Sequence, residues 1–337
     1  MTTNKIVLSG IRPTGDLHLG NWAGAVTKFL QLQEMDGYER YYFVADLHAL
    51  TTITGPIDVR AGTIHMIRQY LACGLDPSKA TIYRQSDISE IPYFSTLLGM
   101  VAGHGRLENC TTFKDKQESQ KEKGGRITAG LFNYPVLMAA DILIVRADYV
   151  PVGEDQNQHL EMCREFAGSM NNMFGTNLPQ PVNFEIGDGS PVRVPGLDGS
   201  GKMGKSSGGK PINLISDSKT IRKQIMAAQT DAGPEPGKPM SLEMDNLFAF
   251  MSNFSKAETV ESYRERYNNG EQKFYGELKS QIADDVIALC EPIRERYYND
   301  ANCSEEAAIE VLKAGAEKVR PIAADVLADA LSKMGIT

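Results

Sequence analysis

Short apolar runs punctuate the first half of the chain: IVLSG at 6–10, RYYFVAD at 40–46, ATIYRQ at 80–85 and DYVPVG at 148–153. Runs of this length, rich in β-branched and aromatic residues, predict buried strands. Between the first two, WAGAVTKFLQLQEM (22–35) sets Trp22, Val26, Phe29, Leu30 and Met35 largely on one helical face. VRAGTIHMIRQYLAC follows Asp58 with the same period, and PYFSTLLGMVAGHGRL begins at Pro92. Strands alternating with helices predict an α/β fold built on a doubly wound parallel sheet.

Two stretches break that texture. KDKQESQKEKGGR (114–126) is charged, has no apolar period and ends in a glycine pair, which predicts a mobile surface loop. Beyond residue 206, SKTIRKQIMAAQ, KAETVESYRERY, EQKFYGELKSQIADDVIALCEPIRERYY and SEEAAIEVLKAGAEKVRPIAADVLADALSKM are all helical in period, with Ser304 placed as an N-cap. The division expected is an α/β domain over 1–205 and an all-helical domain over 206–337. No internal repeat of fixed period is apparent.

Composition narrows the class. With 337 residues, 42% hydrophobic and 23% charged, the chain is long enough for a large domain and a smaller companion. A net charge of -8 argues against broad coating by nucleic acid, so any such contact must be local. The five cysteines (Cys73, Cys110, Cys163, Cys290, Cys303) are scattered and never spaced C-x-x-C. Buried thiols in a reducing compartment are expected, with neither a disulfide framework nor a structural metal. The start MTTNKIVLSG lacks a signal-peptide pattern, and no apolar run is long enough to span a bilayer. A cytoplasmic protein without membrane contact is expected.

Candidate chemistry begins with GSGKMGKS (199–206), which satisfies the P-loop pattern G-x-x-x-x-G-K-[ST]. A P-loop follows a buried strand and opens a helix. Here Pro195 and Gly196 interrupt the upstream side, and SSGGKP supplies two glycines and Pro211 where a helix should start. The better reading is a glycine-rich loop carrying Lys202 and Lys205, able to bring two ammonium groups onto a polyphosphate. Alone, such a loop reads equally well as a solvated basic surface. A partner exists in SGIRPTGDLHLGN (9–21), a glycine-containing loop between the first strand and the first helix, where parallel α/β sheets bind nucleotides. His18 and Asn21, three residues apart, can both donate to phosphate oxygens from one side of the first turn.

In that order and on that kind of fold, HLGN resembles the HIGH signature and KMGKS the KMSKS signature of the class I aminoacyl-tRNA synthetases. DLHALT, FKDK, AGLFNYPVLMAADI, VPVGEDQNQH, PIRERY and GAEKVRPIA extend the resemblance over nearly the whole chain, most closely to the bacterial-type tryptophanyl-tRNA synthetase family. One departure is Gly204, where serine is usual in this family.

The resemblance implies a Rossmann-like catalytic domain, a dimerisation insertion at about 90–135 and a helical tRNA anticodon-binding domain. It implies a ligase that activates L-tryptophan with ATP and Mg²⁺, releases pyrophosphate, and transfers the amino acid to tRNA(Trp). Phosphate handling falls to His18, Asn21, Lys202 and Lys205. The ATP site adds Arg12, Pro13, Thr14, Gly20, Gly153, Glu154, Asp155, Val194, Met203, Gly204 and Ser206. The tryptophan pocket comprises Leu8, His48, Tyr134, Met138, Asp141 and Gln156. Tyr134, Met138 and Asp141 stand at i, i+4 and i+7 and share a helix face. Asp141 can accept from an indole N–H, and Met138 stands where tyrosine enzymes carry Gln. His48 is read equally as a satisfied core histidine. Arg264, Arg266, Arg294, Arg296, Lys318 and Arg320 are candidate tRNA contacts or simply a solvated helix face. A tyrosine-specific enzyme and a noncatalytic paralogue are the alternatives, and a homodimer is implied.

Overall fold

The computed structural model describes residues 4–13, 15–51, 58–122, 126–153, 156–186, 194–197, 203, 211–234 and 239–337. Strand β1 (Lys5–Ile11) leads into a helical run formed by α1 (Leu19–Asn21), a π-helical turn (Trp22–Val26) and α2 (Thr27–Gln33). Then come β2 (Tyr38–Val44), α3 (Asp46–Leu50), α4 (Val59–Cys73) and β3 (Thr81–Arg84), followed by α5 (Glu90–Gly99), α6 (His104–Glu108), α7 (Thr111–Glu122) and α8 (Ala129–Ile144). β4 (Tyr149–Val150), α9 (Asn157–Phe174) and β5 (Val182–Asn183) complete the sheet. Among the described residues the later elements are helical: α10 (Ser218–Met226), α11 (Leu242–Ser252), α12 (Ala257–Asn268), α13 (Tyr275–Asn299) and α14 (Glu305–Lys333). Side chains cap several of these where the sequence supplies them, Asp58 on α4, Thr128 on α8, Asp217 on α10 and Ser304 on α14.

The sheet order is β3-β2-β1-β4-β5 with every pairing parallel. Strand order reverses between β1 and β4, which opens a crevice beyond their carboxyl ends. Alternation along β1 feeds two apolar layers: Val7 packs with α2 and α4 on one face, Leu8 with α5, α8 and α9 on the other. All five cysteines lie buried and free in these layers, and burial pushes the Cys73 and Cys290 thiols up to about 12. Among the described residues no helix is long and apolar enough to cross a membrane.

The expected loop at 114–126 is corrected: residues through Glu122 belong to α7. Its Lys, Gln and Glu residues are strong helix formers, so the segment needs only one apolar anchor. Phe113 supplies it, buried edge-on against Phe132 with ring centroids 5.3 Å apart. β5 had no sequence signal, because it is only two residues long and Val182 is exposed.

The helical half is not separated from the sheet by a solvated gap. α14 lies along the outer edge of β3, with Ala308 and Leu312 in one apolar layer and Ala316 and Val319 in the other. It thereby covers a strand edge that would otherwise present unpaired backbone groups. Close approach requires Gly315, where an added Cβ would stand 1.9 Å from the Ile82 carbonyl oxygen. Gly168 in α9 has nothing within 4 Å of the same position. Gly315→Ala is therefore expected to destabilise the protein by about 1–3 kcal/mol through overpacking. Gly168→Ala should stabilise it by about 0.5–1 kcal/mol through helix propensity. Urea denaturation of the two variants beside the parent checks both signs.

Candidate active site

The segment at the end of β1 is held by its own backbone. His18 caps the helical run: its Nδ1 accepts from the Gly20 N–H at 3.1 Å, and the Asn21 side-chain oxygen accepts from the His18 N–H at 3.0 Å. Both acceptor ends are thus turned toward the chain. The His18 ring proton belongs on Nε2, and Asn21 presents its amide N–H groups. Leu17, His18 and Leu19 pair antiparallel with Ile212, Asn213 and Leu214, through Leu19 N–H to Ile212 O at 3.0 Å and Leu214 N–H to Leu17 O at 2.9 Å. Asn213 also donates to Asp16 at 2.9 Å.

That clip lies directly after the lysine loop, and the loop's one described residue closes on the same place. Met203 is buried, its N–H donates to Val194 O at 2.8 Å, and its carbonyl oxygen lies over Gly20. A Cβ at Gly20 would come within 3.0 Å of the His18 ring and 3.4 Å of that oxygen. The structure therefore brings Gly20, His18, Asn21, Val194 and Met203 together. Thr14, Glu154, Asp155, Lys202, Gly204, Lys205 and Ser206 lie outside the described residues. Gly153 is exposed where β4 ends and accepts from the Gln156 N–H at 2.9 Å. The Pro13 carbonyl oxygen rests against Gly62, and Arg12 is exposed.

Across the crevice, α8 presents Tyr134, Met138 and Asp141 on one face. Tyr134 is buried in the same apolar layer as Leu8, and Met138 is half-buried beside that layer. Asp141 is completely buried. Its carboxylate is paired: Gln85 donates to Oδ1 at 2.8 Å and Oδ2 at 2.9 Å, and His48 Nε2 meets Oδ2 at 2.9 Å. Gln85 is anchored in turn by accepting from the Leu47 and His48 backbone N–H groups at 3.1 and 3.3 Å. Burial pushes the Asp141 carboxyl above the usual carboxylate range, while His48 and Gln85 pull the other way. Oδ2 has two partners and Oδ1 one, so Oδ1 keeps room for another donor.

Tyr134 donates to His159 Nε2, and His159 Nδ1 meets the Gln156 side-chain oxygen at 2.8 Å. Cys110 Sγ lies 3.4 Å from the same Nε2. Lys116 of α7 sets its ammonium 4.3 Å above the Tyr134 ring. Burial lowers the Lys116 pKa, and the nearby Arg12 charge lowers it further.

Four residues here were given no site role by the sequence: Gln85, Cys110, Lys116 and His159. Gln85 was legible in principle, as a polar residue at the carboxyl end of a parallel strand. Lys116 was hidden by reading its segment as a loop. Of the six basic residues of the helical half, Arg296 donates to the Ala72 carbonyl at 2.6 Å and Arg320 to that of Asp87 at 3.1 Å. Arg266 binds Glu271 and Glu277, while Arg264 and Arg294 lie over the Phe248 and Tyr298 rings. Lys318 is exposed.

Comparison with known proteins places this arrangement. Residues 2–291 match the family model described as tRNA synthetases class I (W and Y). A tryptophan–tRNA ligase of Porphyromonas gingivalis is 45% identical over 96% of this chain and 97% of its own length. One from Caldanaerobacter subterraneus is 37% identical, covering 98% of each. The crystal structure of tryptophanyl-tRNA synthetase from Campylobacter jejuni, complexed with ADP and tryptophan, superposes with a TM-score of 0.84 at 32% identity, over 98% of this chain and 99% of that one. With the family model matched over residues 2–291 and relatives similar over nearly their whole length, this chain belongs to the tryptophanyl-tRNA synthetase family of the class I synthetases.

Proposed function

We propose that this chain is a tryptophan–tRNA ligase that activates L-tryptophan with ATP and then esterifies tRNA(Trp), acting in the cytoplasm as a homodimer. The observation that carries the choice of amino acid is the fully buried Asp141 carboxylate, held as an acceptor beside apolar Met138. An indole N–H is a donor with no acceptor capacity, so it complements Oδ1. A phenol would gain less from this wall, which disfavours the tyrosine reading. Full-length similarity to relatives named as tryptophan–tRNA ligases supports the same substrate.

In the first step a carboxylate oxygen of tryptophan attacks the α-phosphorus of ATP in line, and the bond to pyrophosphate breaks. In the second a terminal ribose hydroxyl of the tRNA attacks the carbonyl carbon and AMP leaves. The protein's share is positioning and charge stabilisation. His18 Nε2–H and the Asn21 amide donate to phosphate oxygens beside the helical N-terminus. Arg12 and Lys116 supply positive charge from the Tyr134 side, and Lys202 and Lys205 neutralise the departing pyrophosphate. Gly153 and Asp155 hold the ATP ribose with Glu154 between them in the chain, while Pro13, Thr14 and Val194 line the nucleotide. Among the described residues no group of three or more His, Cys, Asp and Glu suits a metal, and we place Mg²⁺ on the phosphates of ATP itself.

We assign the anticodon side of the tRNA to the helical half, with Lys318 better disposed than Arg296 or Arg320, whose guanidinium groups bind the protein's own carbonyls. The dimer contact is placed over 90–135, where Tyr93, Met100 and Ile127 are exposed to 46%, 71% and 40%.

Exchange of labelled pyrophosphate into ATP tests the assignment: it should require tryptophan and not respond to tyrosine. Exchange driven by tyrosine alone would refute it. Lys205→Ala should keep tryptophan affinity but lower the activation rate by two to three orders of magnitude, on the order of 3–4 kcal/mol. Asp141→Ala should erode the preference for tryptophan over its N-methyl indole analogue, measured as a ratio of kcat/KM values.

A further inference from the structure

His159 stands at the third position of α9 and is 1% exposed. Its two ring nitrogens face two different side chains. Nδ1 lies 2.8 Å from the Gln156 side-chain oxygen, three residues earlier on the same first turn. Nε2 meets the hydroxyl of Tyr134, which α8 brings from the other side. The Gln156 oxygen can only accept, so Nδ1 carries the ring proton. Nε2 is then an acceptor, and the Tyr134 proton points into it. Cys110 Sγ lies 3.4 Å from Nε2 and 3.8 Å from the Tyr134 hydroxyl, beside that bond.

The consequence is directional. With its proton committed to His159, the Tyr134 oxygen can only accept from its other neighbours; Thr112 already hydrogen-bonds to it, which leaves one lone pair for a ligand. With its oxygen turned to Nδ1–H, Gln156 is kept from rotating its amide by half a turn. A group facing both oxygens must therefore be a donor, and an ammonium, with three N–H bonds and no lone pair, is the complement. The opposite imidazole tautomer would reverse both side chains and set donors against that ammonium.

We propose that His159 is a positioning residue that holds Tyr134 and Gln156 as paired acceptors for the α-ammonium group of the amino-acid substrate. This rests on the proposed function and on the tryptophan pocket that the family resemblance implies, of which Tyr134 and Gln156 are members. His159 touches no substrate; it acts through its two partners.

The test compares L-tryptophan with indole-3-propanoate, which differs by having hydrogen in place of the ammonium. Both are titrated calorimetrically against the full-length parent, His159→Leu and His159→Gln. In His159→Leu, the affinity for tryptophan should fall on the order of tenfold or more while that for indole-3-propanoate stays within about twofold. In pyrophosphate exchange the loss should appear in KM for tryptophan, with kcat changed far less. His159→Gln, whose side-chain oxygen can replace Nε2 as acceptor for Tyr134, should recover part of the selectivity. Nitrogen-15 spectra of histidine-labelled parent should show His159 as the Nδ1–H tautomer.

Unchanged selectivity in His159→Leu with native thermal stability, while Tyr134→Phe erodes it, overturns the role of His159 and leaves the amino site standing. If Tyr134→Phe and Gln156→Leu both leave selectivity intact, the reading of the amino site itself fails. Should His159→Leu not fold, the Nε2–H tautomer in the parent overturns the proposal and the Nδ1–H tautomer supports it.

Discussion

A carboxylate sealed from water at Asp141 is the constraint on which the amino-acid side of the site depends. Burying that charge is tolerable only with donors in place, and the donors come from elsewhere: Gln85 follows β3, and His48 belongs to α3. Meeting them requires the ends of β2 and β3 to sit against the middle of α8. Once α8 is fixed in rotation by that clamp, the same face delivers Met138 one turn away and Tyr134 two turns away. Tyr134 then reaches His159 and so ties α8 to α9. A pocket wall and an amino-group site thus follow from one buried charge and the donors that make it stable.

The nucleotide side is organised by backbone rather than by charge. Leu17–Leu19 and Ile212–Leu214 are clipped together, and Met203 is pinned to Val194 above Gly20. The lysine loop is thereby anchored on both flanks beside the helical N-terminus that His18 caps. Gly20 and Gly315 both stand where a methyl group would intrude, at Gly20 on the capping His18 ring and at Gly315 on the Ile82 backbone. At Gly315 this joins α14 to the sheet edge, so the helical half shares its apolar core with the crevice-bearing half.

Much of this was legible in the chain, for physical reasons that also explain the omissions. Long apolar periods announced α4, α13 and α14, and Ser304 marked the start of the last as its cap, since both signals are local. Short apolar runs announced β1 to β4 for the same reason; α8 was legible through the family resemblance. β5 escaped because two residues cannot show a period, and α7 because a helix with a single buried Phe113 shows no stripe. Within the site, Tyr134, Met138 and Asp141 were visible as a helix face. Gln85 and His159 were not, because their importance lies in which atoms they meet across the fold, and sequence spacing carries no such information. Asp141 was legible as an acceptor for an indole N–H; folding supplied it with two partners and kept one acceptor position.

The most direct test of this account is a crystal structure of the chain with L-tryptophan bound. The indole nitrogen should lie within hydrogen-bond distance of Asp141 Oδ1, with the Gln85 and His48 contacts to that carboxylate retained. An indole ring bound away from Asp141, or a carboxylate that abandons Gln85 to meet it, would contradict the account.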